Sequence, residues 1–373
     1  MESKTVAVLH GRFHILFISC FIFALPLRAQ TPLLQPEPGE LAPVDPTFDA
    51  PLSRGIALVF SDRFEESLAL FDSLQKAHSE HPGPYFYKAA AYQTWMSSFR
   101  FNSFQKELEQ NVEAAIEKGA KLMRAQNDPW LLFYMGAAFG YRAFYKFRNY
   151  HWLDAYYDSR KSLNYIQTGL QRQPKLYDAY LGLGSYDYWS TAKSIVLKLL
   201  TFLIGDKRDF GLEEIKLAMQ HGRYCRDEAR LVLVTALFDY GKYDEALAML
   251  DKKENPAKSP SMTELYLRGR LMFEFGRWQE VETIFRELLQ RLEKHRYQSI
   301  GYQVECKYRI AKALQQQGRA PEALALAGVA LALSEKRNAK VELESDLGSY
   351  SDTKAALKKL KPELKKQMEN HNN

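Results

Sequence analysis

The chain has 373 residues, of which 46% are apolar and 26% charged. That is a globular composition, with enough apolar surface for a continuous core. The net charge of +6 is spread thinly over this length, which argues against a nucleic-acid binder, since those need a clustered basic face.

The first 29 residues read as a secretory signal. Lys4 and Arg12 form a positive flank, Phe13 to Leu25 is an apolar run, and Ala29 offers a small residue for cleavage before Gln30. The run is shorter than the roughly 20 apolar residues a membrane span requires. The expectation is an exported protein, periplasmic or secreted, cleaved near Ala29. An uncleaved membrane anchor is the alternative. Residues 30–50 follow with five prolines and four acids, read as an extended linker because proline cannot continue a helix. Of three cysteines, Cys20 falls in the signal. Cys225 and Cys306 make neither a disulfide framework nor a metal pair, although a single bridge between them stays open.

From residue 51 the pattern is helical to the end, with the folded body read as 51–333 and a charged tail or capping helix as 334–373. Four short stretches repeat. Gly276-Arg277-Trp278-Gln279-Glu280-Val281 falls on Gly241-Lys242-Tyr243-Asp244-Glu245-Ala246, 35 residues earlier. Gly318-Arg319-Ala320-Pro321-Glu322-Ala323 and Ser61-Asp62-Arg63-Phe64-Glu65-Glu66-Ser67 are further copies. Each glycine stands where a first helix must stop, as a C-terminal cap requires. The acids after it suit the dipole of the next helix.

These units resemble the tetratricopeptide-repeat (TPR) family, which repeats about every 34 residues as two antiparallel helices. The small residue of the family's first helix is matched by Gly55, Gly136, Gly184, Gly269 and Ala311. The small residue opening the second helix is matched by Ser67, Gly211, Ala246, Val281 and Ala323. The large residue four positions on is matched by Phe71, Ile215, Leu250, Phe285 and Ala327. The match is specific over 230–333, good over 51–80 and looser over 84–222. The resemblance implies an all-α fold: a right-handed α-solenoid of about seven antiparallel helical hairpins. A narrower resemblance covers 177–222, where Gly205-Asp206-Lys207-Arg208 and Gly211-Leu212 are similar to a segment of bacterial envelope TPR proteins. More distantly, that segment resembles the family of the yeast inclusion-body-clearance protein. It implies no activity.

Two stretches stand out from the repeat. Ile195 to Ile204 carries Lys198 as its single charge and reads as an inserted core helix, or else as a membrane-surface or partner-groove segment. Residues 130–157 interleave twelve aromatic residues with Arg142, Lys146, Arg148, His151 and others. One helical face alone can be buried, and TPR arrays bind peptides along their first helices. Tyr and Arg carry much of the energy at interfaces. The candidate groove residues are Tyr141, Tyr145, Arg148, Arg142 and Trp152; the competing reading is packing, with snorkelling arginines. His78 and His81 read as a solvated turn before Pro82. In the tail, the lysines from Lys354 to Lys366 read as the wet face of a capping helix, with Pro362 breaking or starting it. Anionic headgroups are the sharper alternative.

No HExxH, GxSxG, phosphate loop or Cys/His cluster is present. The sequence therefore predicts no enzyme, no cofactor and no metal. It predicts an exported scaffold for a protein or peptide partner, without nucleic acid and with peripheral membrane contact open. The alternative is a membrane-associated envelope assembly factor, held by the N-terminus or by 195–204.

Overall fold

The computed structural model describes residues 46–125, 128–148, 151–192, 206–252 and 259–372. The segments read as signal peptide and as apolar insert lie outside the described residues. Among those described are fifteen helices and no strand. Fourteen fall into seven successive pairs: α1 (Pro46–Val59) and α2 (Phe64–Ala77); α3 (Pro82–Phe99) and α4 (Gln105–Leu122); α5 (Pro129–Arg148) and α6 (Trp152–Arg172); α7 (Asp178–Ala192) and α8 (Arg208–His221); α9 (Arg226–Asp239) and α10 (Tyr243–Asp251); α11 (Met262–Glu274) and α12 (Trp278–Lys294); α13 (Ile300–Gln316) and α14 (Ala320–Ser334). A closing helix, α15 (Tyr350–Asn372), follows.

Packing follows chain order. α1 lies on α2, α5 on α6, α7 on α8, α11 on α12 and α13 on α14. Contacts between successive pairs join α4 to α5, α6 to α7, α10 to α11 and α12 to α13, while α5 also reaches α7. This is the all-α solenoid of helical hairpins the sequence predicts. The chain divides into two compact units, one of residues up to Gln93 with Gln105–Ala236, the other of Thr94–Phe104 with Leu237 onward.

The small-to-large pairing read from the sequence is the hairpin contact itself. A Cβ on Gly55 would come within 2.5 Å of the Phe71 ring, and one on Gly269 within 2.8 Å of Phe285. Ser67 adds a hydroxyl that donates to the Gly55 carbonyl at 2.8 Å. The capping glycines behave as read. Gly241, Gly276 and Gly318 have φ of +78°, +67° and +78°. After each, an N–H returns five residues: Lys242 to Leu237, Arg277 to Met272, Arg319 to Leu314. Two non-glycine residues take the same left-handed turn, Asp62 and Arg100, both at φ 58°.

Three sequence expectations change. Helix α1 begins at Pro46, so the last residues of the stretch read as linker are its first turn. Proline is tolerated there because its missing N–H would have no helical acceptor, and Phe48 is buried as part of the core. At the other end, α15 runs unbroken through Pro362. It is held down by Thr353, Leu357, Leu360 and Leu364, all buried. The bond Pro362 cannot make would have gone to the carbonyl of Lys358, an exposed residue. Residues 335–349, read as tail, belong to the second unit: Leu343 N–H donates to the Arg100 carbonyl and Asn102 N–H to that of Val341. Cys225 and Cys306 are both buried and both free.

Candidate functional site

The aromatic stretch after residue 129 lies on α5, and its two halves have different fates. Trp130, Phe133 and Tyr134 are buried because the first unit brings other rings over them. Phe86 meets Phe133 edge-on at 6.1 Å, and Tyr224 meets Trp130 at 5.3 Å and Tyr87 at 5.7 Å.

Ionic clamps hold this cover in place. The Asp178 carboxylate, at the start of α7, accepts the N–H groups of Arg223, Tyr224 and Cys225 at 2.7, 2.8 and 3.0 Å. Burial pushes this carboxyl above its ordinary value, while the three donors partly offset that. Asp49 on α1 takes a two-pronged contact from Arg223 at 2.6 Å and the Tyr224 hydroxyl at 2.7 Å. The Arg223 contact, more than burial, sets its net downward shift.

His81 belongs to the same cluster, which corrects its reading as a solvated turn residue. Its ring lies 4.5 Å from Phe48 and 5.5 Å from Tyr134, and its Nδ1 accepts the Gly83 N–H at 3.1 Å. That bond requires a neutral ring. Burial, with the neighbouring His78 adding to it, lowers its pKa from 6.5 to about 4. The folded value lies below the unfolded one, so protonation favours the unfolded chain. Stability is then intact above pH 6.5 and falls as the pH drops from there toward 4, by about 2–3 kcal/mol. Urea unfolding across that range should show this loss, and a His81→Phe variant should lack that part of it.

The other half of α5 is open. Tyr141 and Tyr145 are half-buried on one face, and Phe144 between them is 37% exposed. On the adjoining α6, Leu153 is 66% and Tyr157 56% exposed. Tyr141 rests edge-on against Phe86 at 5.4 Å and stands within electrostatic reach of Glu228 in the first turn of α9. Burial, aided by the Asp178 charge, raises Glu228 to about 7.

The five sequence candidates therefore part company. Tyr141 and Tyr145 share the open face. Arg142 does not: its Nε and Nη2 both donate to Asp158 of α6 at 2.8 Å, and its Nη1 reaches Glu113 of α4 at 2.9 Å. Lys146 reaches the same Asp158 at 2.8 Å, and Arg142 also covers the Phe139 ring at 4.8 Å. Arg142 thus joins second helices of neighbouring hairpins, and the packing reading describes it. The side chains of Arg148 and Trp152 lie outside those described. Sequence reasoning missed Asp49, Asp178 and Glu228, which look like ordinary acids of helix first turns. It also missed Phe144 and Leu153, whose exposure depends on which neighbours cover α5 and α6.

The second unit contains a small cavity of about 10 Å³ between Arg100, Tyr302, Glu305 and Arg337, room for a single water. Among the described residues no three His, Cys, Asp or Glu side chains gather as a metal cage, and no helix is long and apolar enough to cross a membrane.

No protein-family model matches the chain, and no curated protein matches it. Among solved structures it is similar to that of yeast Tom70, at 11% identity, over 86% of this chain and 82% of that one, with a TM-score of 0.35. At that score the fold assignment rests on the helix pairs described above.

Proposed function

We propose that this chain is an exported TPR-type scaffold that takes a protein or peptide partner on the third hairpin. The observation that carries this reading is exposure. Of the five large apolar side chains most open to solvent among those described, Phe144, Leu153 and Tyr157 sit on this one hairpin. Beside them stand Tyr141 and Tyr145. Such a cluster on one element is uncommon on a surface without a partner, and aromatic anchors are the usual source of binding energy. Export is supported by the positive flank, apolar run and Ala29 of the first 29 residues.

Pull-down from envelope extract tests the site. A Tyr141→Ser/Phe144→Ser/Tyr145→Ser variant and a Leu153→Ser/Tyr157→Ser variant should each retain the wild-type helical content. Each should weaken capture of the wild-type partner set at least tenfold, about 1.4 kcal/mol. Equal capture by all three proteins would rule the surface out. Arg142→Ala serves as the contrast, lowering thermal stability through Asp158 and Glu113. N-terminal sequencing of the mature protein tests export, with a start near Gln30 expected.

A further inference from the structure

The outer face of the last hairpin is built unlike the others. Helix α12, the second helix of the preceding pair, carries seven charged residues between Glu280 and Lys294. Helix α14 carries none between Ala323 and Ser334. Its packed face is Ala320, Ala323, Ala327, Ala330 and Ser334, so the opposite face is free to be polar without cost to the fold. It is apolar instead. Ala325, Val329 and Ala332 are exposed at a spacing of four and three, bordered by half-buried Leu326 and Leu333.

Beside this strip runs a row of cations. On α15, Lys354, Lys358, Lys361 and Lys365 recur at four, three and four residues, which places them in one line about 16 Å long. The start of the row borders the end of α14, against which α15 packs. Lys354 Nζ pairs with Glu335, just past the end of α14, at 2.9 Å, and Lys358 is in electrostatic reach of the same carboxylate. The one acid near the middle of α15, Glu363, acts instead on Tyr308 of α13. Lys358, Lys359, Lys365 and Lys366 are exposed, and Lys354 and Lys361 are half-buried.

We infer that the α14 outer face and the α15 lysine row together form a docking surface for an anionic lipid bilayer. An apolar strip shallow enough to enter the headgroup boundary, edged by lysines that reach phosphates, is the chemistry of interfacial attachment. The row contains no arginine: Arg337 is the last in the chain. Lysine is a point charge suited to a diffuse field of phosphates, whereas recognition of specific carboxylates favours the arginine fork. A second copy seated here would bring two like-charged rows together. This surface lies on the second unit and does not depend on the partner site proposed on the third hairpin.

The test is flotation of the full chain with vesicles of phosphatidylcholine alone or with about a third phosphatidylglycerol. Wild type should float with the anionic vesicles in a salt-sensitive way. Lys358→Gln/Lys361→Gln/Lys365→Gln should weaken this on the order of a hundredfold. Ala325→Glu/Val329→Glu should weaken it too, with every lysine in place. Both variants should still capture the partner set in pull-down, which separates this surface from the scaffold site. Equal flotation of wild type and both variants would overturn the inference and leave the N-terminal run as the attachment. A concentration-dependent dimer abolished by Val329→Glu would overturn it in favour of self-association.

Discussion

Glu305→Ala is expected to cost the second unit about 3–5 kcal/mol, because it strands buried cations. Glu305 sits on α13 and is buried. It accepts from Arg100 at 2.7 Å and from the Tyr266 hydroxyl at 3.1 Å, with Arg309 at 3.5 Å and Arg270 at 3.9 Å. The Arg100 guanidinium lies 3.6 Å from the centre of the Tyr302 ring and 4.5 Å from that of Tyr266. Burial alone would raise the carboxyl, but the guanidinium groups of Arg100, Arg309 and Arg270 overcome it and bring the pKa from 4.5 to about 2. The folded value is the lower one. The contribution is therefore complete above pH 4.5 and is lost as the pH falls through 2. Urea unfolding at neutral pH should show the full penalty for Glu305→Ala. An Arg100→Met/Glu305→Leu double variant should lose less than the single one, since it removes the desolvation cost together with the pair. A loss below about 1 kcal/mol in the single variant would mean that Arg100 finds water or another acceptor. Arg100 also holds a left-handed turn, a conformation that costs a non-glycine residue free energy. The ion pair and the two ring contacts offset that cost.

What the sequence reveals and what it hides divide along contact distance. The phase of the repeat was legible because its determinants are local. Gly55, Ser67 and Phe71 lie within one hairpin, and Gly241, Gly276 and Gly318 announce their caps by residue type. The clamps were not legible. Asp178 meets the backbone of Arg223 45 residues on, Asp49 meets the Arg223 side chain 174 residues on, and Arg100 meets Glu305 after 205. Nothing in local spacing points across such intervals. Arg142 shows the same limit within one stretch. An arginine among tyrosines reads alike whether it faces a ligand or two acids on neighbouring helices, and Glu113 and Asp158 settle it only once packed. Exposure of Phe144 is hidden for a related reason, since burial of α5 is decided by rings from α3 and the turn before α9.

Gly211→Ala should destabilise the first unit by about 3 kcal/mol or more. The fourth hairpin closes on backbone. A Cβ at Gly211 would stand 2.6 Å from the Gly184 carbonyl oxygen and 2.6 Å from the Tyr188 nitrogen, and one at Gly184 would stand 2.6 Å from the Gly211 oxygen. Neither neighbour is a flexible side chain, so α7 and α8 must separate. Separation moves Tyr188, which is fully buried and donates its hydroxyl to the Ala236 carbonyl at 2.7 Å. The gain of about 1 kcal/mol in helix propensity does not offset this. Gly328 on α14 gives the internal contrast: a Cβ there meets nothing within 4 Å, so Gly328→Ala should stabilise by about 0.5–1 kcal/mol. Thermal and urea unfolding of the two variants should move in opposite directions. Gly184→Ala added to Gly211→Ala should cost much less than it does alone, because the hairpin is already open. Additive losses would mean the two helices yield independently, and a Gly211→Ala protein as stable as wild type would show that this contact does not set the hairpin's closure.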